Sequence, residues 1–119
     1  SVYGASIRDF SGEEDVAPGI RALPMPGHTP GHTAYLIGAD DAATPALIWG
    51  DAVMVAPVQF AQPDAAVLDD VDAPQAVESR REALEFAADR DLLVAGTHLT
   101  FPGVGAVRAE NGTFVWRAA

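Results

Sequence analysis

The clearest periodicity in the chain lies between Gln75 and Asp89. Ala76, Val77, Ala83, Leu84, Ala87 and Ala88 recur on one helical face, and Glu78, Arg81, Glu82 and Glu85 fall opposite them. This spacing predicts one long amphipathic helix. The acidic stretch Asp69–Asp72, followed by Ala73 and Pro74, supplies its start, because proline is tolerated in the first turn where no intrahelical N–H is required. Ser79 sits within the helix with no histidine close to it in sequence, and reads as a solvent-facing structural serine.

Elsewhere the apolar runs are short, as strands require. Ile20 to Met25 reads as a strand entering a loop, and Thr33 to Ile37 as a second strand. Ala46-Leu47-Ile48-Trp49 is continuously apolar, which predicts a strand buried on both faces. The short polar link from Gly38 to Pro45 makes these last two an antiparallel pair. Leu92 to Ala95 reads as another buried strand. Val104 to Ala109 and Thr113 to Arg117 flank Glu110-Asn111-Gly112, where Asn-Gly is a strong signal for a tight hairpin turn. Val2 to Phe10 lacks a period, Ser11 to Asp15 reads as an exposed turn, and Val53 to Pro63 reads as loop because Pro57 and Pro63 interrupt it. Strand pairs, one long helix, a further strand and a hairpin add up to an α+β domain spanning residues 1–119.

Composition narrows the chemistry. A hydrophobic fraction of 49% is enough for a core. The formal charge of −10, from 17 acidic and 7 basic residues, disfavours a nucleic-acid partner, because negative potential repels phosphate. No apolar run approaches the length of a transmembrane span, and no secretory signal is recognisable, so a cytoplasmic protein without membrane contact is expected. The chain starts at Ser1 without an initiator Met, which fits a piece of a longer protein. Cysteine is absent, so a metal would have to be held by histidine and carboxylate.

Only three histidines are available. His28 and His32 share the segment Pro26-Gly27-His28-Thr29-Pro30-Gly31-His32, whose two prolines and two glycines forbid a helix. Four-residue spacing would make them neighbours on a helix; in a loop they need not serve the same ion. His98 directly follows the apolar strand ending at Ala95, and Asp51 stands in the same relation to Ala46–Trp49. Each residue alone is an ordinary loop or turn residue. Two histidine segments and an aspartate, each at a strand end beside glycine, together suggest a site.

Those segments resemble the metallo-β-lactamase-fold superfamily. Gly27-His28-Thr29-Pro30-Gly31-His32-Thr33 looks like its third metal motif, Trp49-Gly50-Asp51 like its fourth and Gly96-Thr97-His98 like its fifth. Gln59-Phe60-Ala61-Gln62-Pro63-Asp64 and Phe101-Pro102-Gly103-Val104-Gly105 resemble the lactonase and organophosphate-hydrolase-like branch. The resemblance implies His32 as ligand of a first metal, Asp51 as the bridging and catalytic carboxylate, and His98 as ligand of a second metal, with His28 stabilising the loop. It implies two divalent ions, zinc by default with iron, manganese or cobalt as alternatives, whose activated hydroxide attacks an ester, lactone, β-lactam or related bond of a small-molecule substrate.

The His-x-His-x-Asp-His motif that the resemblance also requires is absent, and Ala106 stands where related sequences often have histidine. The expected architecture is therefore the C-terminal half of a four-layer αββα sandwich, with a mostly antiparallel sheet and one long covering helix. Its second sheet face should be apolar and exposed, ready for the missing N-terminal half or for self-association. Catalytic zinc takes about three protein ligands, so the isolated chain is expected to bind metal weakly and to lack activity. The alternative is a non-catalytic remnant acting as an interaction or dimerisation module.

Overall fold

A computed structural model describes residues 2–40 and 42–119. After a 3-10 turn at Gly4–Ser6, the described residues form β1 (Glu14–Ala17), β2 (Ile20–Pro24), β3 (Thr33–Ile37), β4 (Ala46–Ile48), α1 (Ala56–Gln59), α2 (Ala73–Asp89), β5 (Leu93–Ala95), β6 (Val104–Glu110) and β7 (Thr113–Ala118). The strands make one seven-stranded sheet in sequential order. Every neighbouring pair is antiparallel except β4 and β5, which run parallel. A parallel pair needs a long crossover, and the segment carrying α1 and α2 supplies it. The fold is α+β, with a mostly antiparallel sheet and one long helix.

Local chemistry accounts for the elements. At the start of α2 the side chain of Asp72 accepts a hydrogen bond from the Gln75 N–H, with proline in the first turn. The β6–β7 turn is made by Asn111 (φ 50°) and Gly112 (φ 79°) between the paired residues Glu110 and Thr113. Two successive left-handed residues match the twist of the flanking strands, which is why Asn-Gly serves there. Two elements lie where none was expected. β1 begins at Glu14, inside the stretch read as an exposed turn, and α1 is a single turn within the stretch read as loop.

α2 packs on one face of the sheet. The core beneath it includes Ala34, Leu36, Leu47, Trp49, Val94 and Val107 from the strands and Ala83, Leu84 and Ala87 from the helix. The buried helical stripe runs through Ala76, Ser79, Arg80, Ala83, Leu84 and Ala87. It is rotated away from Val77 and Ala88, which are only half-buried. Ser79 is consequently buried rather than solvent-facing, and its hydroxyl donates to the Pro26 carbonyl at 2.6 Å.

The opposite face of the sheet carries Tyr35, Ile37, Ala46, Ile48, Leu93, Ala95 and Val104, as the strand register requires. Ile48 is 41% and Leu93 37% exposed. The expectation that the strand Ala46–Trp49 is buried on both faces is therefore corrected: the helix covers one face, and alternate side chains point away from it. Ala106 lies on this second face of β6, opposite Arg117. Among the described residues no helix is long and apolar enough to cross a membrane.

Candidate functional site

Topology brings the three sequence segments to one edge of the sheet. β4 and β5 are parallel, so their C-terminal ends, leading to Asp51 and to Gly96–His98, lie side by side. β3 is antiparallel to β4, which puts its first residue, and hence the β2–β3 loop bearing His28 and His32, at the same edge. Clefts at the carboxyl ends of parallel strands are a common place for ligands in α/β sheets.

Asp51 is the centre of the cluster. Its Oδ1 lies 3.0 Å from His98 Nε2, and its Oδ2 lies 3.4 Å from His28 Nε2. The Thr97 hydroxyl donates to Asp51 Oδ1 at 2.8 Å, with the Gly50 carbonyl as its alternative acceptor at 3.1 Å. Burial pushes the Asp51 carboxyl up, but the Thr97 hydroxyl and the charges of His98 and His28 outweigh it and hold the group below its ordinary value. The carboxylate is thus kept ionised, with each oxygen facing a different imidazole.

His32 has another task. Its Nδ1 lies 2.8 Å from the Met25 carbonyl, which can only accept, so Nδ1 carries the proton. Its Nε2 accepts the Asp51 backbone N–H at 3.0 Å. Both ring nitrogens are committed to backbone groups, and no lone pair is left for an ion. Gly50 permits this approach: its φ is +55°, and a Cβ there would stand 2.9 Å from His32 Nε2. Sequence reading expected His32 as a metal ligand and His28 as a loop-stabilising neighbour; the hydrogen bonds give the two rings different surroundings. His32 ties the β2–β3 loop to the end of β4, and His28 turns its Nε2 toward the carboxylate. The two rings meet nearly at right angles, with centroids 6.0 Å apart.

Three further residues complete the surroundings without having been singled out from sequence. Thr97 touches Asp51 directly. Asp70, buried, lies with Oδ1 3.2 Å from His28 Nδ1. Arg80, also buried, pairs with Asp70 at 3.5 Å. Its detectable signal was a lone cation on the apolar stripe of an amphipathic helix. Only 10 Å³ of cavity remains among His28, His32, Asp51 and Arg80, so these side chains hold one another in place.

Among the described residues no group of three or more His, Asp or Glu side chains is arranged to enclose a single metal ion. The donors nevertheless suit divalent metal in type and disposition. Imidazole nitrogen and carboxylate oxygen bind zinc and related ions. One carboxylate between two imidazoles fits a pair of ions sharing Asp51, with His28 on one side and His98 on the other. Each ion would need further donors from outside this set.

No family model matches the sequence, and no curated protein does. Solved structures do match. The hydrolase AbOPH, of the beta-lactamase superfamily, superposes with a TM-score of 0.82 at 31% identity over 88% of this chain and 36% of its own. The chain carries part of the metallo-β-lactamase fold. AidC, a dizinc quorum-quenching lactonase solved with a homoserine product, shares that fold with a TM-score of 0.83 at 24% identity, over 92% of this chain and 37% of its own. An N-acyl homoserine lactone hydrolase with N-hexanoyl-L-homoserine at its catalytic metal centre matches with a TM-score of 0.60 at 22% identity, over 80% of this chain and 40% of its own. The chain thus spans well under half the length of these metallo-β-lactamase-fold hydrolases, among them the dizinc lactonase AidC.

Proposed function

We propose that this chain is the portion of a metal-dependent hydrolase that supplies His28, Asp51 and His98 to a two-metal site. The observation that carries the reading is the single ionised carboxylate whose two oxygens each face a separate imidazole. Divalent ions bound there would acidify water and polarise the oxygen of an ester, lactone or related bond in a small-molecule substrate. The chain's own residues do the positioning. Thr97 orients and helps to ionise Asp51, His32 clamps the Asp51 backbone, and the two remaining imidazoles present Nε2 on either side. Zinc is the default ion, and the likeness to the dizinc lactonase AidC supports it.

The experiment is a Zn(II) titration of the chain and of the complete hydrolase, with metal content and turnover measured on the latter. Asp51→Ala is expected to reduce bound metal and turnover together. His28→Ala should weaken Zn(II) binding, whereas His32→Ala should act first on stability. Full turnover in the Asp51 variant would remove that residue from the site.

We also infer that the exposed apolar face around Ile48 and Leu93 is covered in the working protein by the rest of the hydrolase. Contiguous exposed apolar surface of this kind marks an interaction face, and the matching hydrolases contain far more chain than this one. In the isolated chain the same face favours self-association. Sedimentation at increasing concentration tests this, with Ile48→Lys expected to keep the chain monomeric. A wild-type chain that stays monomeric at high concentration would count against the inference.

A further inference from the structure

Behind His28, on the side away from Asp51, lies a charge pair that the chemistry above does not use. Asp70 and Arg80 each have side chains only 1% exposed. Burying two charges costs several kcal/mol per ion unless hydrogen bonds satisfy them. Both are satisfied, and by groups that lead to the site. Asp70 Oδ1 is 3.2 Å from His28 Nδ1, and its Oδ2 accepts the Val67 N–H at 3.4 Å and faces Arg80 at 3.5 Å. Arg80 donates from Nε to the carbonyl of Ala52, the residue after Asp51, at 2.9 Å, and from Nη1 to the carbonyls of Pro63 and Ala65 at 2.8 and 3.1 Å.

We propose that Asp70, held by Arg80, is the positioning residue that sets the tautomer and ring orientation of His28. The inference rests on the reading of His28 as a metal ligand for its functional meaning, though not for its structural content. An ionised carboxylate can only accept, so the contact at Nδ1 requires the proton to be there. In the neutral ring, with Nδ1 hydrogen-bonded to Asp70, the nitrogen left for an ion is Nε2, which lies 3.4 Å from Asp51 Oδ2. The arrangement is a carboxylate–histidine couple of the kind that fixes ligand orientation and raises ligand basicity at metal sites. Arg80 gives it a further property. Because one guanidinium holds both Asp70 and the Ala52 carbonyl, it ties the backing of His28 to the chain segment carrying Asp51. The spacing between the two sides of the site is set from the interior, by α2.

The test reads the imidazole rings of the 119-residue chain by ¹⁵N NMR, without metal, above the pH range in which histidine protonates. His28 is expected as the Nδ1–H tautomer, the reverse of the form that free histidine prefers. In Asp70→Asn the carboxamide no longer imposes that form, and the His28 signals should move toward the Nε2–H form. The His32 signals should stay fixed, since the Met25 carbonyl and the Asp51 N–H remain. Zn(II) affinity should fall about 10- to 100-fold in the variant. His28 found as Nε2–H in the wild-type chain would overturn the proposal whatever the variant does. Unchanged His28 signals in a folded Asp70→Asn would also overturn it. Loss of the His32 pattern in Asp70→Asn would mark general unfolding; the wild-type tautomer then decides alone. If His28 is Nδ1–H but added Zn(II) shifts neither His28 nor His98, positioning stands and the metal reading fails.

Discussion

Gly27→Ala is the substitution whose effect follows most directly from geometry. The β2–β3 loop lies against the first turn of α2, with the Asp72 N–H donating to the Gly27 carbonyl at 2.9 Å and the Val71 N–H to the His28 carbonyl at 3.2 Å. A methyl carbon at position 27 would stand 2.1 Å from Ala76 N, 2.4 Å from Ala76 Cα and 2.7 Å from Gln75 C. All three atoms are helix backbone, so no side-chain rotation relieves the contact. The φ of +131° adds conformational strain for any residue with a Cβ. Overpacking costs about 1–3 kcal/mol, and a strained backbone region about 1–3 kcal/mol more. Together they take about 2–6 kcal/mol from a total that is only about 5–15 kcal/mol for a typical domain. With a urea dependence of about 2 kcal/mol per molar, the middle of the usual range, the unfolding midpoint should drop by roughly 1–3 M. Gly12→Ala is the control: its φ is +78° and nothing lies within 4 Å of a Cβ there, so only the backbone cost applies. Chemical denaturation followed by Trp fluorescence compares the two. Equal midpoint shifts would refute the argument that contact with α2, rather than φ alone, reserves position 27 for glycine.

Other outcomes follow from the same interactions. Ser79→Ala leaves the half-buried Pro26 carbonyl without its 2.6 Å donor, and thermal unfolding should report a loss of about 1 kcal/mol. Arg80→Met removes hydrogen bonds to three carbonyls and leaves Asp70 as a buried charge without its cation; calorimetry should show a loss of about 3–5 kcal/mol. Asp64 is held below its ordinary value of 3.8, chiefly by the hydrogen bond from Arg81. Because its folded value is depressed, its contribution to stability is present above the unfolded value and disappears as pH falls through the folded one. A ¹³C carboxyl titration should place Asp64 below 3.8 in the wild type and return it toward 3.8 in Arg81→Ala.

Much of the architecture was legible because local signals are strong where a segment satisfies itself. The amphipathic run ending at Asp89, the Asn111-Gly112 turn and the Thr33–Ile37 strand were all legible from residue spacing and turn chemistry. The rotation of the buried helical stripe was not. Arg80 looks polar in sequence, and the carbonyls of Ala52, Pro63 and Ala65 together with the Asp70 carboxylate offset the cost of its burial. β1 was hidden because Glu14 and Asp15 read as turn residues, whereas pairing with β2 recruits them into an edge strand, where Asp15 meets Arg21.

The site divides along the same line. Sequence alone marked three segments, two with histidine and one with aspartate, and the parallel step between β4 and β5 brings them to one edge. The residue pattern by itself could not rank His28 against His32, because each sits in the same loop between a glycine and a threonine, and the resemblance put His32 first. What separates them is which atoms the folded chain places against each ring. The Met25 carbonyl and the Asp51 N–H occupy both nitrogens of His32, while Asp70 occupies only one nitrogen of His28. A ring's capacity to bind an ion is set by its unspent lone pair, and long-range hydrogen bonding decides where that lone pair remains.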